Sequence, residues 1–307
     1  MKHTIKVIIA LVLFFLTAQV AGLLIINQYI DHPKTIDSKE IVMKPLPYGL
    51  ERPEIENQST SFIYITIAIL IGTFLVLLLI KFNKTFIWKF WFFATVWLTL
   101  SIAFAAFFNA IAAAIIAFVL SVLKLYKPNV IIQNFSEIFI YGGLAAIFVP
   151  IINLFAAFML LIVISIYDYI SVFKTKHMIK LANFQSQSKI FAGFLIPYEK
   201  DKIILKEKLY SKLEIKQAPA KTSPQRSIAV LGGGDIGFTL IFAGVVMKNL
   251  MLQNTILIGF LKTLAIPIFV ALALLILLIK GQHNKFYPAM PFLSIGCFIG
   301  YLVILSI

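Results

Sequence analysis

Apolar stretches about 20 residues long recur along the whole chain and constrain its fold more than any other feature. A helix of about 20 residues, rising 1.5 Å per residue, crosses a hydrocarbon layer about 30 Å thick. Of the 307 residues, 61% are hydrophobic and only 13% are charged, whereas about 25% are charged in an ordinary soluble domain. No polar stretch is long enough for an independent soluble domain. The sequence therefore predicts an all-α, polytopic, integral membrane protein.

Nine segments have the length and hydropathy of membrane spans. The first follows a basic start, as a signal peptide does, but it has no convincing small-residue cleavage site before Ile26 and is interpreted as an uncleaved span. Residues 86–125 are continuously apolar and would form a helix about 60 Å long, so the chain is expected to fold back near Asn109. Eight spans are the alternative. The predicted spans are 5–27, 60–81, 86–105, 108–125, 131–149, 151–173, 227–248, 257–279 and 287–307.

The distribution of lysine and arginine predicts the orientation. With nine spans and the N-terminus inside, the cytoplasmic segments hold 21 of the 27 basic residues. The first outside loop, 28–59, has four basic and six acidic residues. Because basic residues near span ends favour the cytoplasm, the N-terminus is expected inside and the C-terminus outside. The same topology explains the net charge of +14 without binding to nucleic acid.

This orientation divides the chain into spans 1–6 (1–173), a cytoplasmic loop (174–226) and spans 7–9 (227–307). The loop carries twelve basic and four acidic residues. Its middle part, FLIPYEKDKIILKEKLYSKLEIK, either lies on the membrane surface or forms a solvated connector. Its end, QAPAKTSPQRS, is typical of a flexible linker.

Two acidic residues lie well inside apolar spans, Asp168 and Asp235. Ten of the thirteen acidic residues are in loops, and Glu137, near the start of the fifth span, is expected to reach the membrane interface. A carboxylate at the centre of a membrane helix costs roughly 2.5–3.5 kcal/mol on insertion scales, so an intramembrane acid indicates a functional site. Asp168 lies about 9 Å from Lys174 along its helix and Asp235 about 13 Å from Arg226. If the two spans touch, the carboxylates face each other.

The segment SIAVLGGGDIGFTL has the spacing of a dinucleotide-binding fingerprint, since Gly232, Gly234 and Gly237 complete G-x-G-x-x-G. Such a site needs a βαβ unit and an acidic residue about 20 positions later. Asp235 is the last acidic residue of the chain, so the fingerprint is accidental. We interpret the glycines as positions where another backbone can approach Asp235 closely.

A third element is expected at the same membrane depth, where FYPAMPFL opens the last span. Its prolines, Pro288 and Pro291, lack amide hydrogens and disfavour regular helix. Irregular backbone in a membrane is tolerated where it is buried or lines a wet cavity. A kinked helix start remains the alternative interpretation.

Three motifs on these spans together resemble the presenilin and signal peptide peptidase family of GxGD intramembrane aspartyl proteases. They are YD (Tyr167, Asp168) in the sixth span, GGGD in the seventh and PAM in the ninth. The segment IYDYISVFKTKHM is similar to archaeal presenilin homologues in particular, which implies the cell membrane of a prokaryote. The family usually has Pro-Ala-Leu in the third motif, and the unbranched Met290 that replaces leucine should still pack.

The resemblance implies catalysis by Asp168 and Asp235 without a metal or other cofactor. It implies single-span membrane proteins, running N-outside and C-inside, as substrates and the lipid bilayer as surroundings; accessory subunits are neither required nor excluded. Two nearby carboxylates cannot both ionise cheaply, so one proton is shared between them. The residues implied to bind substrate are Tyr167, Gly232, Gly233, Gly234, Pro288, Ala289 and Met290.

Other classes of protein are compatible with parts of this pattern. A proton- or cation-coupled transporter or channel also carries intramembrane acids, but the internal repeats common in transporters are not visible. The prepilin-type peptidases have a GxGD motif, but their span count fits less well and they have no counterpart of PAMP. A structural membrane protein would leave the two buried acids unexplained.

The predicted orientation is tested by cysteine-accessibility labelling. Cysteines placed in the loop 174–226 should react with an impermeant reagent only from the cytoplasmic face, and those in the loop 28–59 only from outside, because of the basic-residue bias. The reverse pattern would give the protein the signal-peptide-peptidase orientation and reverse that of its substrates.

Overall fold

The computed structural model describes residues 4–38, 40–82, 84–175, 181, 184–185, 190–199, 226–281 and 287–306. Most of these residues are helical. In chain order the helices are α1 (Ile5–Gln28), α2 (His32–Ser38), α3 (Ser61–Lys81), α4 (Thr85–Ala105), α5 (Ala110–Tyr126), α6 (Val130–Phe148), α7 (Leu154–Phe173), α8 (Gly233–Gln253), α9 (Ile256–Thr263), α10 (Ala265–Lys280) and α11 (Met290–Ser306).

Seven helical stretches of the described chain are long and apolar enough to cross a membrane, with α9 and α10 taken together as one. Two shorter apolar helices, α5 and α11, lie where the sequence predicts the fourth and ninth spans. The mostly helical membrane fold is therefore as expected, while the count of nine spans and the orientation of the termini stay predictions.

Asparagine side chains set the start of three helices. Asn109, Asn129 and Asn153 each accept a hydrogen bond from a backbone amide two or three residues ahead, at 2.8–3.0 Å. These caps satisfy amides that have no partner inside the helix. The cap at Asn109 separates α4 from α5, which pack against each other. The predicted break in the long apolar run near Asn109 is thus confirmed.

The helix α8 lies at the centre of the bundle and contacts α1, α6, α7, α10 and α11. It is buried over most of its length, and Phe242 packs edge-on against Phe158 of α7. A polar link joins it to α1, where the Gln19 amide donates to the Ile236 carbonyl at 3.0 Å and to the Thr239 hydroxyl at 2.9 Å. Close packing and interhelical hydrogen bonds of this kind hold helices together in lipid, where no hydrophobic force drives their association.

The predicted eighth span, 257–279, is interrupted. The helix α9 ends at Thr263 and α10 begins at Ala265. Pro267 in the first turn of α10 has no amide hydrogen to continue the hydrogen-bond ladder of α9, and such a position suits the start of a helix better than its middle.

A two-stranded antiparallel ribbon departs from the all-α prediction. Its strands are β1 (Gly193–Glu199) and β2 (Arg226–Gly232), paired so that Gly193 faces Gly232. The helix of the seventh span therefore begins at Gly233, not at residue 227. The FLIPYE part of the predicted cytoplasmic loop forms β1, and the rest of that loop's mixed segment, with nearly all of the linker QAPAKTSPQRS, lies outside the described residues. Strand formation suits these short apolar runs because Ile, Val, Phe and Tyr fit a pleated surface.

The loop 28–59 covers one end of the bundle. Its side chains donate hydrogen bonds to helix-end carbonyls: the Tyr29 hydroxyl to Ile102 at 2.7 Å, the Tyr48 hydroxyl to Ala110 at 2.8 Å and Arg52 Nε to Ala146 at 3.3 Å. The loop thus lies against the connections between α4 and α5 and between α6 and α7. These connections belong to the same predicted side of the membrane as the loop.

The contact between α4 and α6 generates a stability prediction. A Cβ atom added at Gly143 would lie 1.9 Å from the Thr99 carbonyl oxygen, so Gly143→Ala must push the two helices apart. We expect a loss of about 1–3 kcal/mol, typical of overpacking, seen as a lower thermal midpoint of the purified protein in detergent. Gly72→Ala is the matched control, because no atom lies within 4 Å of its added Cβ. Equal midpoints for the two variants would contradict this packing.

Candidate active site

A cavity of about 830 Å³ opens between α3, α6, α7, α8, α10 and the start of α11. Its walls are mainly apolar, and Asp168 and Asp235 both line it. The two carboxylates are close enough to interact electrostatically. The structure therefore brings together the two acids that the sequence singles out, which lie on the neighbouring helices α7 and α8.

Asp168 is 8% exposed and is held by the beginning of α11. Its Oδ2 atom accepts a hydrogen bond from the Met290 amide at 3.1 Å, and the Ala289 amide is a second backbone donor. The first amides of a helix have no partner within it, and Pro288 delays the start of α11 until Met290. The broken helix start thus provides two donors for a carboxylate on another helix.

Asp235 lies in the first turn of α8, immediately after the ribbon. A Cβ atom on Gly232 would lie 3.3 Å from its Oδ2 atom, and one on Gly233 would lie 2.5 Å from the Tyr141 hydroxyl. A side chain at either position would press on the carboxylate or on the tyrosine. Another backbone does approach these glycines, since Gly193 of β1 pairs with Gly232 and the Gly233 amide donates to the Ala192 carbonyl at 3.1 Å, but the space that a Cβ would fill is bounded by side chains. Gly234 is exposed to the cavity.

Two further hydrogen bonds connect the elements around the cavity. The Tyr167 hydroxyl lies 3.0 Å from the Thr73 hydroxyl of α3. The Ser165 hydroxyl of α7 lies 2.8 Å from the Ser294 hydroxyl of α11. Both bonds involve α7, so the helix that carries Asp168 is tied on two sides to its neighbours.

Most of the residues assigned from the sequence lie at this cavity. Pro288 is the exception: it is buried and does not line the cavity. Among the described residues, no group of three His, Cys, Asp or Glu side chains is arranged to hold a metal ion. The predicted site residues that line the cavity are Tyr167, Asp168, Gly232, Gly233, Gly234, Asp235, Ala289 and Met290.

Sequence reasoning missed Tyr141 and misplaced Glu137. Tyr141 lines the cavity and donates a hydrogen bond to Glu137. Glu137 is 1% exposed and forms a buried ion pair with Lys124, so the expectation that it reaches the interface is wrong. The available signal was the run QNFSE in the fifth span, where Gln133, Asn134 and Ser136 accompany the acid.

Comparisons with known proteins agree with this geometry. The sequence model of the family described as signal-peptide peptidase, presenilin aspartyl protease matches residues 46–307. A crystal structure of a presenilin family intramembrane aspartate protease in space group C222 is 18% identical with a TM-score of 0.59, and the match covers 97% of this chain and 98% of that one. Its P2 form gives 18% identity, a TM-score of 0.56 and coverage of 97% and 96%. No curated protein sequence matches.

Proposed function

The chain belongs to the signal-peptide peptidase and presenilin family of aspartyl proteases, and from this premise we propose that it cleaves transmembrane helices of single-span membrane proteins with Asp168 and Asp235 as its catalytic pair. One observation carries the proposal: both carboxylates line the same cavity, from the contacting helices α7 and α8. The proposed enzyme is an intramembrane endopeptidase of the GxGD type, whose motif here is Gly232 to Asp235.

The proposed reaction is hydrolysis of a peptide bond by a water molecule. The pair holds one proton between its two carboxyl groups. The ionised carboxylate takes a proton from the water as its oxygen attacks the carbonyl carbon, and the protonated carboxyl donates to the carbonyl oxygen. The carboxyl group that took the proton from water then gives it to the nitrogen as the C–N bond breaks, and the other carboxylate takes back a proton from a hydroxyl of the tetrahedral intermediate, which restores the pair. The amides of Ala289 and Met290 hold Asp168 in place during this exchange.

Substrate must unwind before this chemistry can occur, because the hydrogen bonds of a helix shield its peptide groups. Unpaired amides in lipid cost several kcal/mol each, so the unwound strand needs backbone partners. In the described part of the chain the sheet has two strands, which leaves the outer edge of β2 without a strand. Residues Val230 to Gly232 of β2 line the cavity. We propose that substrate adds to this edge as a third strand, with Ala289 and Met290 opposite it.

The predicted orientation of the chain determines the orientation of its substrates. With loop 174–226 in the cytoplasm, substrates run N-outside and C-inside, in the presenilin sense. We place the protein in the cell membrane of a prokaryote, following the archaeal resemblance of IYDYISVFKTKHM.

Replacing either aspartate tests the proposed catalysis. Asp168→Ala or Asp235→Ala should reduce cleavage of a reporter single-span helix by purified protein to the background level, because one carboxyl group cannot act as acid and base together. Asp235→Ala removes a half-buried carboxyl group and should keep the wild-type thermal midpoint, whereas Asp168→Ala also leaves the Met290 amide without its acceptor and should lower the midpoint modestly without unfolding the protein. Asp37→Asn, at an exposed position on α2, is the control and should cleave normally. Appreciable cleavage by either aspartate variant would end the aspartyl-protease proposal.

A bulky residue at position 289 tests where the substrate lies. Ala289 is half-buried and lines the cavity, so Ala289→Trp should block the space opposite β2 and reduce cleavage while leaving both aspartates in place. Ile295→Trp, on α11, which begins just after Ala289, and at a position 55% exposed, controls for the added bulk and should cleave normally. Wild-type cleavage by Ala289→Trp would show that the substrate lies elsewhere.

A further inference from the structure

Glu137 is a third acid buried in the bundle, and the proposed chemistry gives it no role. Its carboxylate accepts hydrogen bonds from three side chains: Lys124 of α5, Gln133 at 2.9 Å and Tyr141. Lys124 is 5% exposed, so the ion pair is removed from solvent. A buried ion pair is often no more stabilising than an apolar pair of the same volume. Stability alone therefore does not account for this ion pair, and its role lies in the side chains that Glu137 positions.

On one side, Glu137 fixes Tyr141 against the first turn of α8. The Tyr141 hydroxyl lies 2.5 Å from the place of a Cβ on Gly233, and a ring carbon lies 3.7 Å from the place of one on Gly237. Residues four apart share one face of a helix, so the phenol ring covers the face of α8 that carries Gly233 and Gly237, in the turn that contains Asp235. The hydrogen bond to Glu137 sets the orientation of this ring.

On its other side, Glu137 fixes Gln133 against the start of the ribbon. The Gln133 amide nitrogen lies 2.8 Å from the Phe191 carbonyl oxygen and 2.9 Å from that of Gly193. The adjacent Asn134 exchanges two hydrogen bonds of 2.9 Å with the backbone of Leu195. Side chains of α6 therefore bind the backbone of β1, so this contact does not depend on the side chains of the strand.

The segment held by Gln133 is in turn bonded to the chain that leads to Asp235. Gly193 is paired with Gly232 in the ribbon, and the Gly233 amide donates to the Ala192 carbonyl at 3.1 Å. Only Gly234 separates this bond from Asp235. The junction of β2 and α8 is thus held from the ribbon side through Gln133 and from the helix side through Tyr141, and both side chains bind Glu137.

We propose that Glu137 is a positioning residue for Asp235, acting through Tyr141 and Gln133 on the junction between β2 and α8. The inference rests on the proposed function, since the positioned group is the proposed catalytic acid. Lys124 neutralises the carboxylate so that it can stay buried and ionised. Without Glu137, the phenol and the amide lose their common partner and the junction gains freedom. A displacement of about 1 Å at a reacting group can cost roughly 100-fold in rate.

Two variants test the proposal through kinetics. Glu137→Gln removes the charge but leaves Lys124 without its partner, so Tyr141→Phe, which keeps the ion pair and the ring, is the second variant. For each we expect kcat for a reporter helix to fall about tenfold or more, because the acid is displaced from its reacting position, and KM to rise by a smaller factor, because β2 at the same junction is the proposed substrate edge. Ser136→Ala is the matched control: its hydroxyl donates only within α6, to Ile132 at 2.7 Å. The control should keep both wild-type constants.

Hydrogen exchange of the same purified proteins gives a readout that does not depend on cleavage. Both variants should exchange faster in peptides covering residues 190–199 and 226–240, while Ser136→Ala should match wild type. Unchanged exchange, or faster exchange spread equally over α4 and α5, would overturn the proposal, and so would faster local exchange with an unchanged kcat. If wild-type protein fails to cleave but the two variants still loosen the junction, the proposed function fails while Glu137 retains its positioning role toward Asp235.

Discussion

The burial of carboxylates inside an apolar bundle is the constraint on which the rest of this structure depends. An isolated charge removed from water is so costly that it must be paired, hydrogen-bonded or neutralised. The three buried acids meet this requirement differently. Asp168 receives the Met290 amide from the start of α11, Glu137 is paired with Lys124, and Asp235 lines the same cavity as Asp168. The two aspartates line the cavity, whereas Glu137 does not.

The interruptions of regular helix follow from the same constraint. A continuous helix uses its own amides and has none to offer, whereas the start of a helix has free donors. The start of α11, delayed by Pro288, supplies such donors to Asp168. The start of α8, delayed by β2, places Asp235 in a first turn beside the Gly232 and Gly233 backbone. Irregular backbone at membrane depth is tolerated because these segments line a cavity or are buried.

The sequence predicted the helices and singled out the two aspartates as intramembrane acids, because both signals are local. A run of about 20 apolar residues identifies a span by itself, and a single acid within it stands out by its cost. The ribbon was not predicted, because β1 and β2 are short apolar runs whose pairing joins segments more than 25 residues apart. The environment of Glu137 was missed for a similar reason. Lys124 reaches Glu137 from α5, and the loop reaches its partner Gln133 through the Phe191 and Gly193 carbonyls, so no window along the chain contains these groups together.

The glycines of the GGGD segment show how local pattern and distant packing are connected. Gly233 occupies the variable position of GxGD, where a side chain would collide with the Tyr141 hydroxyl 2.5 Å away. Tyr141 in turn needs Glu137 as acceptor, and Glu137 needs Lys124 as counter-ion. The absence of a side chain at position 233 therefore depends on Tyr141 and Glu137 of α6 and, through them, on Lys124 of α5. In this protein a side chain at the variable position of the GxGD segment is thus excluded by a tyrosine that a buried charge on another helix orients.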